Sequence, residues 1–182
     1  MREAGVLMPV SALPSRVGAG ELGESAFHFI ELLKKNHVRI WQILPLNPVG
    51  YGNSPYQPYS SCAGDDIYIS LDTLAEEGLL KKSPMLFLEK CKKVDYERVR
   101  QYREPYLRAA FMAFVEQKGY EKPEYKEFAA QSWVYEYGVF RALKKANNGA
   151  CWNEWPEEDR TWPENRHVLD TEVGAEARYQ MF

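Results

Sequence analysis

Two short apolar runs, separated by a helical stretch, constrain the fold of this chain more than any other feature. Residues 5–10 and 40–46 show no regular polar alternation, which is typical of strands buried on both faces of a sheet. Between them, residues 25–35 carry apolar side chains at helical spacing, including Phe29 and Leu33. A strand, a helix and a second buried strand form a βαβ unit, so we predict a parallel sheet.

The character of the chain then changes, and we predict an α/β part at residues 1–71 followed by a mainly α-helical subdomain at residues 72–182. Residues 67–70 indicate a weak third strand at the end of the first part. Asp72 is a candidate cap for a short helix that ends near Gly78.

Three later segments are predicted to be helices. Pro105 suits the first turn of one helix, because a proline there loses no hydrogen bond. Residues 124–146 show the strongest helical pattern, and Gly149 follows as a C-terminal cap. Residues 172–182 also have the pattern of a helix.

Composition argues against several classes of partner. The chain has 23 basic and 26 acidic residues and a net charge of -3, whereas nucleic acids and anionic membranes favour a clustered basic surface. Cys62, Cys91 and Cys151 are widely spaced and odd in number, so we expect neither a disulfide framework nor a metal site. Pro9 interrupts the apolar N-terminal run before it reaches the length of a signal peptide or a membrane span. We therefore expect a cytoplasmic protein without a nucleic-acid or membrane partner.

The loop after the second strand is the best candidate for a binding site. Residues 51–57 contain Tyr51 and Tyr56, whose flat apolar rings with a hydroxyl at the rim suit the C–H face of a sugar. Ser54 and Gln57 add hydrogen-bond donors and acceptors for sugar hydroxyls. The alternative is an ordinary turn whose tyrosines pack onto the sheet, and the residue types alone leave both interpretations open.

Several blocks in the first eighty residues together carry a resemblance to one known family. They are GVLMPVSALP at residues 5–14, GAGELG at 18–23, WQILPL at 41–46, YGNSPYQ at 51–57 and Ala63-Gly64. With these blocks, the first eighty residues resemble the N-terminal part of the 4-alpha-glucanotransferases of glycoside hydrolase family 77, also called amylomaltases or disproportionating enzymes. A second patch, from Trp133 to Leu143 and on to Pro156, resembles the helical insertion of that family.

The resemblance implies a fold and a reaction. It implies the N-terminal part of a (β/α)8 TIM barrel with a mainly α-helical inserted subdomain. It also implies transfer of a segment of an α-1,4-glucan, such as a maltooligosaccharide, to the 4-hydroxyl of an acceptor sugar, without metal or organic cofactor. Retention of configuration requires a carboxylate nucleophile and a second carboxyl group as acid and base. The resemblance places those groups beyond Phe182, so it assigns no catalytic residue to this chain.

The resemblance also assigns substrate-binding roles. It implies that Tyr56 lines the cleft near the bond that is cleaved, with Ser54 and Gln57 beside it. Tyr51 matches a position that belongs to a second, outer glucan-binding surface in some members. We therefore predict a substrate-binding set of Tyr51, Ser54, Tyr56 and Gln57.

Three departures from the family pattern concern the same region. Asn53 stands where the family usually has an aspartate, and Asp65-Asp66 replaces the usual Asn-Pro. The aromatic partner expected for the outer surface falls near Arg100, with Tyr102 close by.

Other candidate sites are weaker. The adjacent carboxylates at residues 65–66, 76–77 and 157–159 are more typical of solvated faces or helix ends than of a reaction centre. The glycines at positions 18, 20 and 23 match a dinucleotide fingerprint, but residues 13–16 separate the motif from the preceding strand, and no acidic residue follows the next strand at the expected spacing.

The length of the chain leads to a further expectation. A complete (β/α)8 barrel takes about 250 residues, so 182 residues that include an insertion cannot close one. We therefore expect residues 1–182 alone to lack transferase activity. The alternatives are a non-catalytic, aromatic-lined glucan-binding fragment, half of an assembly that another chain completes, or a dinucleotide-binding α/β protein.

Overall fold

The computed structural model describes residues 3–81, 93–162 and 171–182. The chain forms two compact units, Met1–Ala113 and Phe114–Phe182. Within the described ranges, no helix is both long and apolar enough to cross a membrane.

The elements are β1 (Gly5–Leu7), α1 (Glu24–Lys35), β2 (Ile40–Gln42), α2 (Leu71–Glu76), α3 (Tyr96–Glu116), α4 (Pro123–Ala129), α5 (Ser132–Ala146), α6 (Glu157–Arg160) and α7 (Glu172–Met181). Short 3-10 helices lie at Val10–Ala12, Tyr51–Asn53, Asp66–Tyr68, Gly119–Glu121 and Trp152–Glu154.

The predicted βαβ unit is present, and its two strands pair in parallel as expected. Gly5 lies opposite Ile40, and Leu7 lies opposite Gln42. One face of the pair packs against α1, where the rings of Phe29 and Trp41 meet edge to face at 5.1 Å. Helix α1 therefore fixes which side of β2 faces the core of the first unit.

Burial of both strands on both faces is not observed in the described residues. Leu7 is 57% exposed and Ile40 is 48% exposed. Successive side chains of a strand point to opposite faces, and α1 covers only the face that carries Trp41. Leu7 and Ile40 lie on the other face, which no described element covers.

Both strands are shorter than predicted. The Met8 N–H still donates to the Gln42 carbonyl at 2.9 Å, but the chain turns at Pro9 into the 3-10 helix Val10–Ala12. The Trp41 ring N–H donates to the Met8 carbonyl at 2.8 Å. Among the described residues, the segment after Gln42 therefore has no neighbouring strand with which to continue the ladder.

The predicted third strand is wrong. Residues 67–70 do not pair with another strand, because the chain from Asp66 to Tyr68 forms a 3-10 helix. The Asp65 carboxylate caps this helix by accepting the Ile67 N–H at 3.1 Å. The next helix, α2, is capped by the Ser70 hydroxyl, which accepts the Thr73 N–H, and not by Asp72 as predicted.

Helix α3 begins nine residues before Pro105, which therefore lies inside the helix and not in its first turn. A proline inside a helix leaves the carbonyl one turn earlier without its usual donor. Pro105 and Gln101 are both exposed, so water can reach that carbonyl. The buried apolar residues of α3 are Val99, Leu107, Ala110 and Phe114.

The predicted helix over residues 124–146 is two helices in the structure. Gln131 has an extended backbone and separates α4 from α5. The break lets each segment pack against a different partner: Tyr125 of α4 meets Phe114 at a ring distance of 5.0 Å, whereas α5 packs along α7. Gly149, with φ of +77°, ends the turn after α5 as predicted.

The core of the second unit lies between α5 and α7. Trp155 is one of the buried residues of this core. Its ring N–H donates to the Ala150 carbonyl at 3.0 Å. The two helices approach closely at Gly138. A Cβ atom at this position would lie 2.8 Å from the Met181 Cγ and 3.0 Å from the Ala177 carbonyl oxygen. Only glycine fits there without displacing α7.

We expect Gly138→Val to destabilise the chain by about 1–3 kcal/mol, the range typical of overpacked cores. The measurement is the free energy of unfolding in urea. Glu136→Val is the matched control, because it places the same β-branched residue at an exposed position of α5. Equal unfolding midpoints for the two variants would contradict this account of the α5–α7 contact.

Candidate functional site

The predicted binding loop follows β2 and is closed by a short antiparallel stem. Val49 and Pro58 form an isolated β-bridge. The Tyr59 N–H donates to the Pro48 carbonyl at 2.9 Å, and the Gly50 N–H donates to the Gln57 carbonyl at 3.4 Å. The stem therefore presents residues 51–57 as a closed tip.

The backbone of the tip includes positive φ angles, which few residue types adopt. Gly52 has φ of +82° and Asn53 has φ of +53°, within the 3-10 helix Tyr51–Asn53. Glycine adopts positive φ readily, and asparagine and aspartate are the side-chain-bearing residues that tolerate it best. Asn53 therefore suits the backbone conformation of the tip, as the aspartate that the resemblance implies would.

A tight turn brings three of the four predicted residues together. The Gln57 N–H donates to the Ser54 carbonyl at 3.1 Å, with Pro55 at the second position, where proline is favoured. Tyr56 is 71% exposed, so its ring does not pack onto the sheet. Ser54 is half-buried and Gln57 is exposed. The backbone of Tyr51 belongs to the same tip, but its side chain lies outside the described part of the structure.

Tyr59 packs against the stem of the loop and supports it, a role that the residue patterns did not indicate. A Cβ atom on Gly50 would lie 3.3 Å from the ring of Tyr59. The ring therefore lies directly against the backbone of the stem. The stem is held by this contact as well as by its hydrogen bonds.

Asp65 anchors the base of the loop. Of the two predicted environments for this carboxylate, the helix end is confirmed, because Asp65 caps a 3-10 helix, and the solvated face is wrong. Its side chain is buried, and its carboxylate oxygens accept hydrogen bonds from both terminal nitrogens of Arg100, at 2.6 and 2.7 Å. Arg100 also donates to Asp66 at 2.9 Å. In the other carboxylate clusters, Glu76, Glu77, Glu157 and Glu158 are exposed as predicted, whereas Asp159 is half-buried and accepts a hydrogen bond from the Asn147 side-chain amide at 2.7 Å.

The environment of Asp65 acts on its ionisation in two opposing ways. Burial disfavours the charged carboxylate, but the hydrogen bonds and charge of Arg100, with the Ile67 N–H, outweigh burial. The pKa of Asp65 is lowered below its ordinary value. The carboxylate is therefore ionised at neutral pH, and Arg100 pairs with a charge.

The glycines of the apparent dinucleotide fingerprint have a packing role. A Cβ atom on Gly20 would lie 2.0 Å from the Val10 carbonyl oxygen, and one on Gly23 would lie 2.5 Å from the Ser70 hydroxyl. Close packing of the loop explains both glycines without a nucleotide. Among the residues that the structure describes, no three His, Cys, Asp or Glu side chains come together as a metal site requires.

A cavity of about 310 Å³ lies beside Arg16 and Asp72, which form an ion pair. Glu21 and Glu24 also line it, so it carries both signs of charge. Ser54, Tyr56 and Gln57 do not line this cavity. Tyr56 and Gln57 are exposed on the surface of the first unit.

Comparison with known protein families shows to which family the chain belongs. The sequence profile of glycoside hydrolase family 77, described as 4-alpha-glucanotransferase, matches residues 8–182. The chain belongs to family 77.

Individual relatives agree with this assignment. The chain is 39% identical to a 4-alpha-glucanotransferase of Synechocystis sp. and 37% identical to one of Thermus thermophilus, with 100% and 97% of the chain covered. These matches cover 37% and 36% of the two relatives. An amylomaltase from Streptococcus agalactiae in complex with acarbose has the same fold over the whole chain, with a TM-score of 0.90 and 28% identity. The chain spans 38% of that structure, so it corresponds to little more than a third of a family 77 protein.

The loop anchor in this family 77 chain could not be found from local sequence patterns. Arg100 lies 35 residues after Asp65 and on a helix, so nothing in the spacing indicated that the two side chains meet. The available signal was the departure that the resemblance implies both at Asp65-Asp66 and near Arg100, because two carboxylates and a cation that depart together from an expected pattern indicate an ion-pair cluster.

We expect the stability of the chain to depend on Asp65 in acid. The folded pKa lies below the unfolded value of about 3.9, so this stabilisation is complete above about pH 4 and is lost as pH falls through the folded pKa. The measurement is the free energy of unfolding between about pH 7 and pH 2. Asp65→Asn removes this part of the acid dependence, whereas Glu127→Gln, at an exposed carboxylate, leaves it in place. Parallel pH curves for Asp65→Asn and the unsubstituted chain would contradict the prediction.

Proposed function

We propose that the protein containing this chain is a 4-alpha-glucanotransferase that acts on maltooligosaccharides and related α-1,4-glucans. The observation that carries the proposal is the family 77 match over residues 8–182. Relatives that bear this name and are more than 35% identical support it. Acarbose in the structure of the Streptococcus agalactiae relative supports a glucan-type ligand.

The proposed reaction exchanges one glycosidic bond for another. A carboxylate attacks the anomeric carbon of the donor glucan, and a second carboxyl group protonates the leaving oxygen. The acceptor 4-hydroxyl then displaces the enzyme carboxylate and gives its proton to the second group, which restores both carboxyl groups. We assign neither group to residues 1–182, whose role in this scheme is to bind the glucan.

The loop at residues 51–57 is the proposed glucan-binding element. Tyr56 offers the face of its ring to a sugar, and its exposure supports this role. Ser54 and Gln57 lie in the same turn and supply polar groups for the sugar hydroxyls. Tyr51, at the start of the tip, is assigned to an outer glucan-binding surface on the basis of the family resemblance.

We also propose that the first unit contains the opening strands of a (β/α)8 barrel and that later residues include an inserted helical subdomain. The boundary at residue 71 is part of this proposal. The parallel strands support it, and so does the exposed face with Leu7 and Ile40, because the inner face of a barrel is filled by side chains from several strands. The loop at residues 51–57 follows β2, in agreement with an active face built from the loops after the strands.

The proposed location is the cytoplasm. Among the described residues, Cys62 and Cys151 are free and exposed, which is typical of proteins in a reducing compartment. Cys91 lies outside the described residues.

We expect the full-length protein to convert maltotriose into shorter and longer maltooligosaccharides, because each transfer shortens a donor and lengthens an acceptor. Tyr56→Ala raises KM for maltotriose about 10-fold, since loss of an apolar ring face that the bound sugar would cover weakens binding by about 1.5 kcal/mol. Tyr56→Phe keeps the ring and most of the affinity. Chromatography of the products measures both effects.

Tyr120→Ala is the matched control, because Tyr120 is exposed but belongs to the second unit. Hydrolysis to glucose without longer products would contradict the proposed transfer. Binding of maltotriose without any reaction would favour a non-catalytic glucan-binding protein. An unchanged KM in Tyr56→Ala would remove Tyr56 from the binding site.

A further inference from the structure

An ion-pair cluster joins α3 to the base of the candidate loop. Arg100 reaches back 35 residues and holds both oxygens of the Asp65 carboxylate, at 2.6 and 2.7 Å. The same guanidinium bonds Asp66 at 2.9 Å. A planar guanidinium that holds a carboxylate with two parallel bonds fixes its direction as well as its position.

Asp65 lies where the loop closes on itself. Its own N–H donates to the Leu46 carbonyl at 2.8 Å, at the start of the loop. Its Oδ2 accepts the Val49 N–H at 3.4 Å, and its Oδ1 accepts the Ile67 N–H at 3.1 Å. One carboxylate therefore ties the first residues of the loop to the 3-10 helix that follows it.

Contacts within the stem link Asp65 to the predicted sugar-binding residues. Val49 is held by Asp65 and is also bridged to Pro58. Its neighbour Gly50 donates to the carbonyl of Gln57, which lies in the same turn as Tyr56. A displacement of Asp65 would therefore move the stem, and the turn would move with it.

We propose that Arg100 is a positioning residue for glucan binding: through Asp65 it holds the stem at residues 48–59 so that Ser54, Tyr56 and Gln57 face the sugar. This inference rests on the proposed function of the loop. Arg100 itself is not required to touch the glucan. Its removal leaves a buried carboxylate without its main partner, which is far less favourable than the intact pair.

The experiment compares Arg100→Gln with Arg98→Gln in the full-length protein. Arg98 is an exposed arginine of the same helix and serves as the matched control. For Arg100→Gln we expect KM for maltotriose to rise about 10-fold with kcat changed less than about 3-fold, the scale of one lost hydrogen bond to a charged group. Amide hydrogen exchange of residues 48–59, measured without sugar, rises in Arg100→Gln and stays unchanged in Arg98→Gln.

Two further variants test the role of the ion pair itself. Arg100→Lys keeps the charge but loses the two parallel bonds, so its KM lies between those of the unsubstituted protein and Arg100→Gln. The double variant Asp65→Asn with Arg100→Gln removes both charges, and the new amide can still accept the Ile67 N–H. We expect it to bind maltotriose better than Arg100→Gln alone, because no unpaired buried charge remains.

Equal KM values and equal exchange in Arg100→Gln and Arg98→Gln would overturn the proposal. A fall in kcat with unchanged KM and unchanged exchange would also overturn it, because it would assign Arg100 to the chemical step. The unsubstituted protein tests the proposed function separately. If it neither binds nor converts maltotriose, that function is wrong, and the exchange of residues 48–59 alone decides whether Arg100 holds the loop.

Discussion

Two arginines on one face of α3 hold this helix to the loops that follow the strands. Arg103 is 1% exposed, pairs with Glu21 at 2.8 Å and donates to the backbone carbonyls of Asp66 and Ile69. The charge of this buried guanidinium is paired and both terminal nitrogens are bonded, whereas its buried Nε has no hydrogen-bond partner among the described residues. Separating Arg103 from these partners would leave a buried charge without compensation, so their positions are coupled. Arg100, about one turn earlier, fixes the neighbouring loop base in the same way. The position of α3 and the conformation of the loops therefore depend on each other.

The parallel strand pair determines where the candidate loop leaves the sheet. It has one covered face and one exposed apolar face, and a two-stranded sheet has little stability in water on its own. The first unit gains stability from α1 and from the arginines of α3 instead. The exposed side chains, Leu7 and Ile40, are those that further strands of a barrel would cover. The strand pair therefore positions the loop that has the proposed function and also leaves an apolar face exposed.

Local sequence patterns predicted those elements whose conformation depends on residues close to them in the sequence. Helix α1 was predicted from residue 25 and begins at Glu24, and Gly149 was predicted as a helix end because a positive φ favours glycine. The prediction failed where a distant residue decides the conformation. Residues 67–70 have the composition of a strand, but Asp65 caps them as a 3-10 helix and Arg100 holds Asp65. The exposure of Tyr56 likewise depends on how the stem closes, which residue types alone do not reveal.

The departures of this chain from the family pattern explain one another. An arginine near the expected position of an aromatic partner would be unfavourable on a half-buried surface without carboxylates, and Asp65-Asp66 supplies them. A buried Asp65 would in turn be unfavourable without a guanidinium. The guanidinium of Arg100 is thus directed at the loop base, and the ring of Tyr102 packs against Tyr106 at 5.3 Å. The base of the loop is therefore anchored by an ion pair, and the rigidity that we propose for the loop depends on charge pairing.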